Sequence, residues 1–521
     1  MTALSDHKTI GKLFLTASVV FLVVGAGLAL LMESKAVGPA SYSQLFTVHG
    51  LTMVFLFLLP AWLGLASAVA PLQVGARRVA FPRAHAFCLW LYVAGGAMVV
   101  AGPFASDIAS GWTLSSPVPV GRGFRGDGPD LIVLGLALVA VAGTGTAVNL
   151  LATLLQFRAP ELALRRVPLF SWATLVSSAV LMLALPVLVG AFVMLFVERH
   201  FGGQVFSGDE GGNPLLWPRL FWFAAYPVLW ALVVAALGAM CEIVPVFARR
   251  PLASYARATA ALGALGVVAF VGWGSEVADG AGARLLFVFG ALAALAPVAS
   301  ILLNLLLTLR PGRAPADGTP APSLGSVPAL AALGAVTVLA AGLLGGLVLA
   351  LDAGGTSHTT TWSVAAQHLL YFGAPTVGVL AAAHFWAPKL WGRHLHDGVG
   401  KLSLAAVVGG LHLSFLPLYV LGVDGAPAHE PAEGPAALTA AADLGSLVLA
   451  LGVLLFAANL LTSAVAGWGR RADADPWGGH TLEWATTSPP PPHNFDTLPA
   501  LTSPTPLLDR PPVPELEAAS T

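Results

Sequence analysis

Runs of about twenty apolar residues, broken by short polar segments, recur along almost the whole 521-residue chain. A run of roughly 20 residues is what a helix needs to cross ~30 Å of hydrocarbon. The pattern predicts twelve such helices, near 13–32, 48–71, 86–105, 130–156, 170–197, 219–247, 257–277, 284–309, 327–351, 363–388, 401–422 and 440–466. The expected fold is therefore an all-α integral membrane bundle. Residues 1–467 read as one membrane domain, and 468–521 as a Pro-rich, polar cytoplasmic tail that lies extended around the block SPPPPHNF. Two other polar segments stand out. The run PGRAPADGTPAPS after Arg310 reads as a flexible loop between the eighth and ninth helices. Longer loops at about 106–129 and 198–218 carry Trp112 and Trp217, residues suited to the membrane interface.

Charge then orients the bundle. Placing both termini inside puts 19 of the 25 basic residues in cytoplasmic segments, among them Lys8, Lys12, Arg77, Arg78, Arg249, Arg250, Lys389 and Arg393. Helix one has no small-residue cleavage site before Glu33 and reads as retained. A chain that is 57% hydrophobic and 10% charged, with a formal net charge of −1, excludes a soluble globule and offers no patch for nucleic acid. Cys88 and Cys241 fall near cytoplasmic helix ends, where they read as core thiols. The expected location is a bacterial-type cytoplasmic membrane.

Chemistry must then reside in the few polar groups inside the spans, because each is costly there. Most of the 13 histidines lie in loops, in the tail or close to helix ends, and three stand apart: His49, His368 and His412. His49 opens helix two and His368 lies a few residues into helix ten, and both helices run from outside to inside. At ~1.5 Å of rise per residue the two imidazoles reach similar depth. Paired imidazoles at one depth on different helices are what axial ligation of a haem iron requires. The plainer alternative is that each histidine bonds a neighbouring helix. His412 has no matching partner and reads as structural.

Longer stretches carry a resemblance. LFTVHGLTMVFLFLLPAWLG followed by APLQVGARRVAFPR, then SGWTLSSP, NLLATLLQFRAP, PLFSWATLVSSAVLMLALPVLVGAFVMLFVERHFG, NPLLWPRLFWFAAYP, HFWAPKLWGRHLHDGVGK and TLEWATTSPPPPHNF together resemble the haem-copper oxidase subunit I family, which includes the catalytic subunit of cytochrome c oxidase. The likeness covers nearly the full chain. It implies twelve helices, and it implies that His49 and His368 are the axial ligands of a low-spin haem. His358 matches a histidine near the propionate and metal region.

At other positions the sequence departs from the family pattern. The helix-six copper histidine, pump glutamate and tyrosine correspond to Tyr226, Val228 and Trp230; the adjacent copper histidines of helix seven to Ser275 and Glu276; and the proximal ligand of the high-spin haem to Ala366. The helix-eight lysine of the proton path corresponds to Ile301, and an acidic residue after helix two to Arg78. The propionate arginines correspond to Ala428 and His429, the helix-one arginine to Glu33, and the acidic neighbour of His358 to Thr359. Arg122 or Arg125 offers an alternative propionate partner. Val and Trp provide no useful copper donor, Ile no proton relay, and Glu276 with Tyr226 too few ligands for a new metal site.

These observations lead to one reading with two alternatives. The first is a subunit I-like electron-transfer protein with one bis-histidine haem, of type a or b, no copper and no oxygen-reducing centre. It would work beside subunit II- and III-like partners, with a cytochrome c or quinol donor. The alternatives are an active, proton-pumping terminal oxidase subunit and a cofactor-free scaffold.

Overall fold

In the computed structural model the described residues are 6–33, 38–108, 111–114, 126–202, 204–208, 211–274, 280–310, 323–352, 356–428, 430 and 433–508. They form an all-helical membrane bundle: α1 (His7–Glu33), α2 (Ser41–Gln73), α3 (Pro82–Ala105), α4 (Gly128–Gln156), α5 (Leu169–Phe201), α6 (Leu216–Ala248), α7 (Tyr255–Val268), α8 (Gly280–Leu309), α9 (Val327–Leu351), α10 (Thr361–Trp391), α11 (Asp397–Val423) and α12 (Ala436–Val465). Among the described residues eleven of these are long and apolar enough to cross a membrane.

The exception is α7, expected as a full span over 257–277. Its 14 residues rise only about 21 Å, short of the ~30 Å of hydrocarbon. Ser254 starts it by accepting a hydrogen bond from the Arg257 amide at 3.3 Å. Its end tightens where Val271 N donates to Val268 O at 2.9 Å, a three-residue spacing that closes a helix. Gly272 and Gly274 follow, and glycine disfavours helix continuation.

Three helices are nearly enclosed by the others. The apolar stretches of α2, α6 and α10 are 94%, 100% and 89% buried, against 22–56% for the remaining eight long helices. The enclosed three therefore form the axis, and the outer helices turn one apolar face to lipid. Close approach relies on missing side chains. At Gly342 of α9 a Cβ would fall 2.4 Å from the Leu370 amide of α10.

Two of the enclosed helices are interrupted by π-helical turns, Thr52–Leu58 in α2 and His368–Gly373 in α10. Each is followed by a proline, Pro60 and Pro375, which lacks the amide that would bond back into the helix. The Tyr92 hydroxyl of α3 donates to the Leu56 carbonyl at 2.7 Å, four residues before Pro60.

Residues after α12 fold across the bundle end that holds the start of α1. There they bond the last turns of the enclosed helices. Gln73 Nε2 and Trp386 Nε1 both donate to Glu483 Oε1 at 3.1 Å, and Trp477 Nε1 donates to the Phe385 carbonyl at 2.9 Å. Burial pushes the Glu483 carboxyl above the usual carboxylate range. Lys389 Nζ donates to the carbonyls of Ala474 and Thr486 at 2.8 and 2.7 Å. Fully buried Asn494 accepts from Lys8 Nζ at 2.7 Å and donates to the Ala76 carbonyl at 2.7 Å. Backbone N–H and C=O groups orphaned at helix ends are thus satisfied by the tail.

Asn494→Ala removes an acceptor from Lys8 and a donor from Ala76 and places alanine at φ 70°. A loss of about 1–3 kcal/mol is expected, read as a lower unfolding midpoint of the detergent-solubilised full chain by intrinsic fluorescence.

Candidate functional site

His49 and His368 come together. Both line one cavity of about 270 Å³ between α1, α2, α10, α11 and α12. His49 Nδ1 donates to the Gly25 carbonyl of α1 at 2.9 Å, and His368 Nδ1 donates to its own helix at Val364 O, 2.8 Å. A carbonyl only accepts, so both imidazoles carry their proton on Nδ1. Each Nε2 is thereby left with a lone pair and has no partner among the described residues. This is the arrangement that prepares histidine as a metal ligand, because the bond at Nδ1 sets tautomer and ring orientation.

The helices that carry these rings are held at fixed distance by local chemistry. At Gly25 a Cβ would lie 2.5 Å from Met53 Sδ, so glycine lets α1 approach α2 closely enough for its carbonyl to meet His49. The His368 ring stacks on Phe415 of α11 with centroids 4.5 Å apart and meets Phe372 edge-on at 5.3 Å. His368 is also the first residue of the π turn in α10. Such turns are frequent at functional sites.

The cavity walls are apolar, with Phe46, Met53, Phe372, Leu411 and Phe415 among them, and its rim is acidic. Glu33, Glu430, Asp443 and the Tyr42 phenol line that rim, and Ser446 Oγ donates to Glu33 Oε1 at 2.6 Å. No Lys or Arg lines the cavity among the described residues. The lining thus offers an apolar wall and two imidazole nitrogens to a macrocycle, while the carboxyls of the rim, when ionised, would repel an acidic substituent. Ala428 also lines the cavity; His429, Arg122 and Arg125 lie outside the described residues.

A second cavity, of about 170 Å³, lies across α10, between that helix and α6, α8 and α9. Residues two apart on a helix point about 200° apart. His368 accordingly faces the first cavity while Ala366 faces the second. Tyr226 and Trp230 of α6 line the second cavity as well, and Trp230 meets Tyr371 edge-on with centroids 5.4 Å apart. Tyr226 packs on Trp222 at 4.6 Å. Among the described residues its lining holds phenols, indoles, one amide and one hydroxyl, and no imidazole.

The other sequence-predicted positions are dispersed. Val228 and Ile301 are fully buried in the apolar core and line neither cavity. His358 lies in the short turn Thr356–Thr359 before α10. Ser275 and Glu276 lie outside the described residues. His412 donates to Val408 O at 2.8 Å and lines neither cavity. Sequence reasoning missed Gln367 and Tyr371, which line the second cavity, and Asp443 and Glu430 on the rim of the first. The available signals were an amide at position 367 and a carboxyl at position 443, each inside a predicted span.

Residues 9–455 match the family model described as cytochrome c and quinol oxidase polypeptide I. The chain is 34% identical to a probable cytochrome c oxidase subunit 1-beta of Nocardia farcinica, covering 98% of this chain and 87% of that protein. It is 33% identical to cytochrome c oxidase subunit 1 of Bacillus subtilis, over 95% of this chain and 80% of that protein. Among solved structures, a heme-copper terminal oxidase dimer determined by cryo-EM superimposes with a TM-score of 0.71 at 16% identity, covering 90% of this chain and 84% of that one. That last likeness concerns the fold.

Proposed function

The chain belongs to the haem-copper oxidase subunit I family, and we propose that it is an electron-transfer subunit of a respiratory complex that holds one bis-histidine low-spin haem and lacks an oxygen-reducing haem-copper centre. Members of this family bind haems and copper and form respiratory oxidase complexes, and this chain is a multi-pass membrane protein homologous to bacterial oxidase subunits.

One observation carries the reading: the two Nε2 atoms of His49 and His368 face a shared apolar cavity, each imidazole fixed through Nδ1. A haem held there would supply one-electron carriage at the membrane's outer half. With His49 and His368 both bound to its iron, such a haem would carry electrons rather than bind oxygen. The protein's own part is to hold both rings, exclude water with Phe46, Phe372 and Phe415, and set the local field with the acidic rim. The second cavity supports the proposed loss of the oxygen-reducing centre. Where the family resemblance implies a copper histidine, a tyrosine and the proximal histidine of the high-spin haem, its lining presents Tyr226, Trp230 and Ala366. A phenol, an indole and a methyl form no copper site. The proposed partners are subunit II- and III-like chains with a cytochrome c or quinol donor.

A specific observation favours a second reading: full-length relatives at about a third identity are described as cytochrome c oxidase subunits. An active oxidase would carry a second, high-spin haem and copper.

The purified complex is expected to give one haem per copy of this chain in a pyridine haemochrome assay, no copper by elemental analysis, and no carbon monoxide shift in the reduced spectrum. A carbon monoxide-reactive haem together with copper would establish the oxidase reading instead. His49→Ala and His368→Ala should each remove the low-spin absorbance, whereas His412→Ala leaves it. An unchanged spectrum in both of the first two variants would point to a scaffold.

The acidic rim makes a separate prediction. Anionic groups near a haem favour the ferric state, because it carries one more positive charge. Glu33→Gln, which keeps an acceptor for Ser446, is expected to raise the midpoint potential. Redox titration of the visible spectrum checks it.

A further inference from the structure

We propose that a third cavity, at the bundle end that holds the start of α1, binds an anionic phosphate ester with a free hydroxyl, the head group of a glycerophospholipid in the leaflet at that end. The cavity lies among α9, α10, α11, α12 and the segment after α12. It shares no lining residue with the first cavity, so the proposal stands apart from the haem reading.

An unmet acceptor comes first. His384 of α10 lines the cavity and is 5% exposed. Its Nδ1 donates to the Leu380 carbonyl at 2.8 Å, so the proton sits there and Nε2 keeps a bare lone pair. That Nε2 is buried without a hydrogen-bond partner. Gly400 of α11 leaves it uncovered, since a Cβ at that position would fall 2.7 Å from Nε2. A buried acceptor of this kind needs a donor from outside the chain.

Charge narrows the ligand. The charged residues of the lining are Asp397 and Arg470. Asp397 is exposed and pairs with Lys401 Nζ at 2.8 Å, whereas Arg470 makes no ion pair among the described residues. His396 adds a donor, because its Nδ1 accepts from the Val399 amide at 3.3 Å and its proton is thereby placed on Nε2. It caps the N-terminus of α11, where the helix polarity also favours an anion. A guanidinium, an imidazole N–H and a helix N-terminus together suit a phosphate. The donor for His384 is then a hydroxyl rather than an ammonium, because the one carboxylate of the lining is already paired.

Placement names the source. Trp468 lines the cavity and is exposed, as interfacial tryptophans are. Leu455, Ala458 and Thr462 of α12 line it as well, and Leu451 and Leu454, further along the same helix, are exposed. Spacings of three and four residues put them on one helix face. An apolar stripe therefore runs from the cavity along the outside of α12, where an acyl chain would lie. The volume of about 720 Å³ falls within the roughly 300–1,000 Å³ of small-molecule sites.

The test is a lipid titration of the delipidated, detergent-solubilised full-length complex, read by native mass spectrometry. Dioleoylphosphatidylglycerol is compared with dioleoylphosphatidylmethanol, which has the same charge and chains but no free hydroxyl. One saturable site per chain is expected, about tenfold tighter for the glycerol lipid, the worth of roughly one hydrogen bond. That preference should vanish in His384→Leu, while Arg470→Gln should weaken both lipids alike, by about tenfold. Equal affinity of the two lipids for the unsubstituted protein overturns the proposal, as does the lack of a saturable site because a partner subunit covers this face. Glycerol 3-phosphate should compete only weakly, and competition as strong as the lipid's would overturn the lipid source. If His384→Leu fails to fold, the comparison of the two lipids on the unsubstituted protein and on Arg470→Gln, an exposed position outside the spans, decides the matter. Haem content, read from the visible spectrum, should be the same in both variants, separating failure here from failure of the haem reading.

Discussion

Hydrocarbon offers a buried polar group no water, so every such group must find a partner within the protein or its ligand. Most of this architecture answers that constraint. At prolines that interrupt the enclosed helices, a carbonyl loses its usual partner, and Tyr92 supplies a hydroxyl to Leu56. At helix ends, where four amides or carbonyls stand unpaired, side chains from distant segments reach in. Glu242 Oε1 accepts the Phe170 amide at the start of α5 at 3.1 Å, a partner for an amide that the helix itself leaves unpaired. The segment after α12 does the same for α2 and α10 through Trp477 and Asn494. The tail thereby helps fix the inner ends of the two helices that carry the candidate ligands.

The same constraint gives α10 two distinct faces. His368 satisfies Nδ1 within its own helix, which frees Nε2 for the cavity shared with His49. Directly before it, Gln367 and Ala366 turn toward α6 and the second cavity. The π turn begins at His368, and adding a residue to a helical turn rotates all that follows by about 100°. A regular α-helix through this segment would hand Phe372 and Tyr371 to other faces. As built, Phe372 closes on His368 while Tyr371 closes on Trp230. One local irregularity thus equips both cavities with an aromatic wall.

Much of this was legible in the sequence because bilayer thickness imposes a length rule that apolar runs obey. The spans and the His49–His368 pairing follow from counting residues along helices. The shortened α7 did not, since hydropathy continues through Phe270 and Val271 after the helical hydrogen bonding has tightened. Asp443 was passed over because it lies near a helix end, and Glu430 because it lies in the loop between α11 and α12, places where carboxylates are usually solvated. Only the packing of α12 against α1 brings Asp443 to the same rim as Glu33. Tyr371 was invisible for a related reason. A tyrosine within a span is ordinary, and what distinguishes it is a hydroxyl without a partner, a property of three-dimensional surroundings.

The two cavities therefore differ in how they treat charge, and that difference follows from depth. The rim of the first reaches the outer ends of α1 and α12, which contribute Glu33 and Asp443. A one-electron carrier below such a rim has its oxidised, more positive state favoured. The second cavity is enclosed by α6, α8, α9 and α10 and lined by neutral groups. Charge placed there would lack both water and counter-ion, at a cost of several kcal/mol. A bundle of this kind sets a first cavity with ionisable groups on its rim beside a second whose lining is neutral.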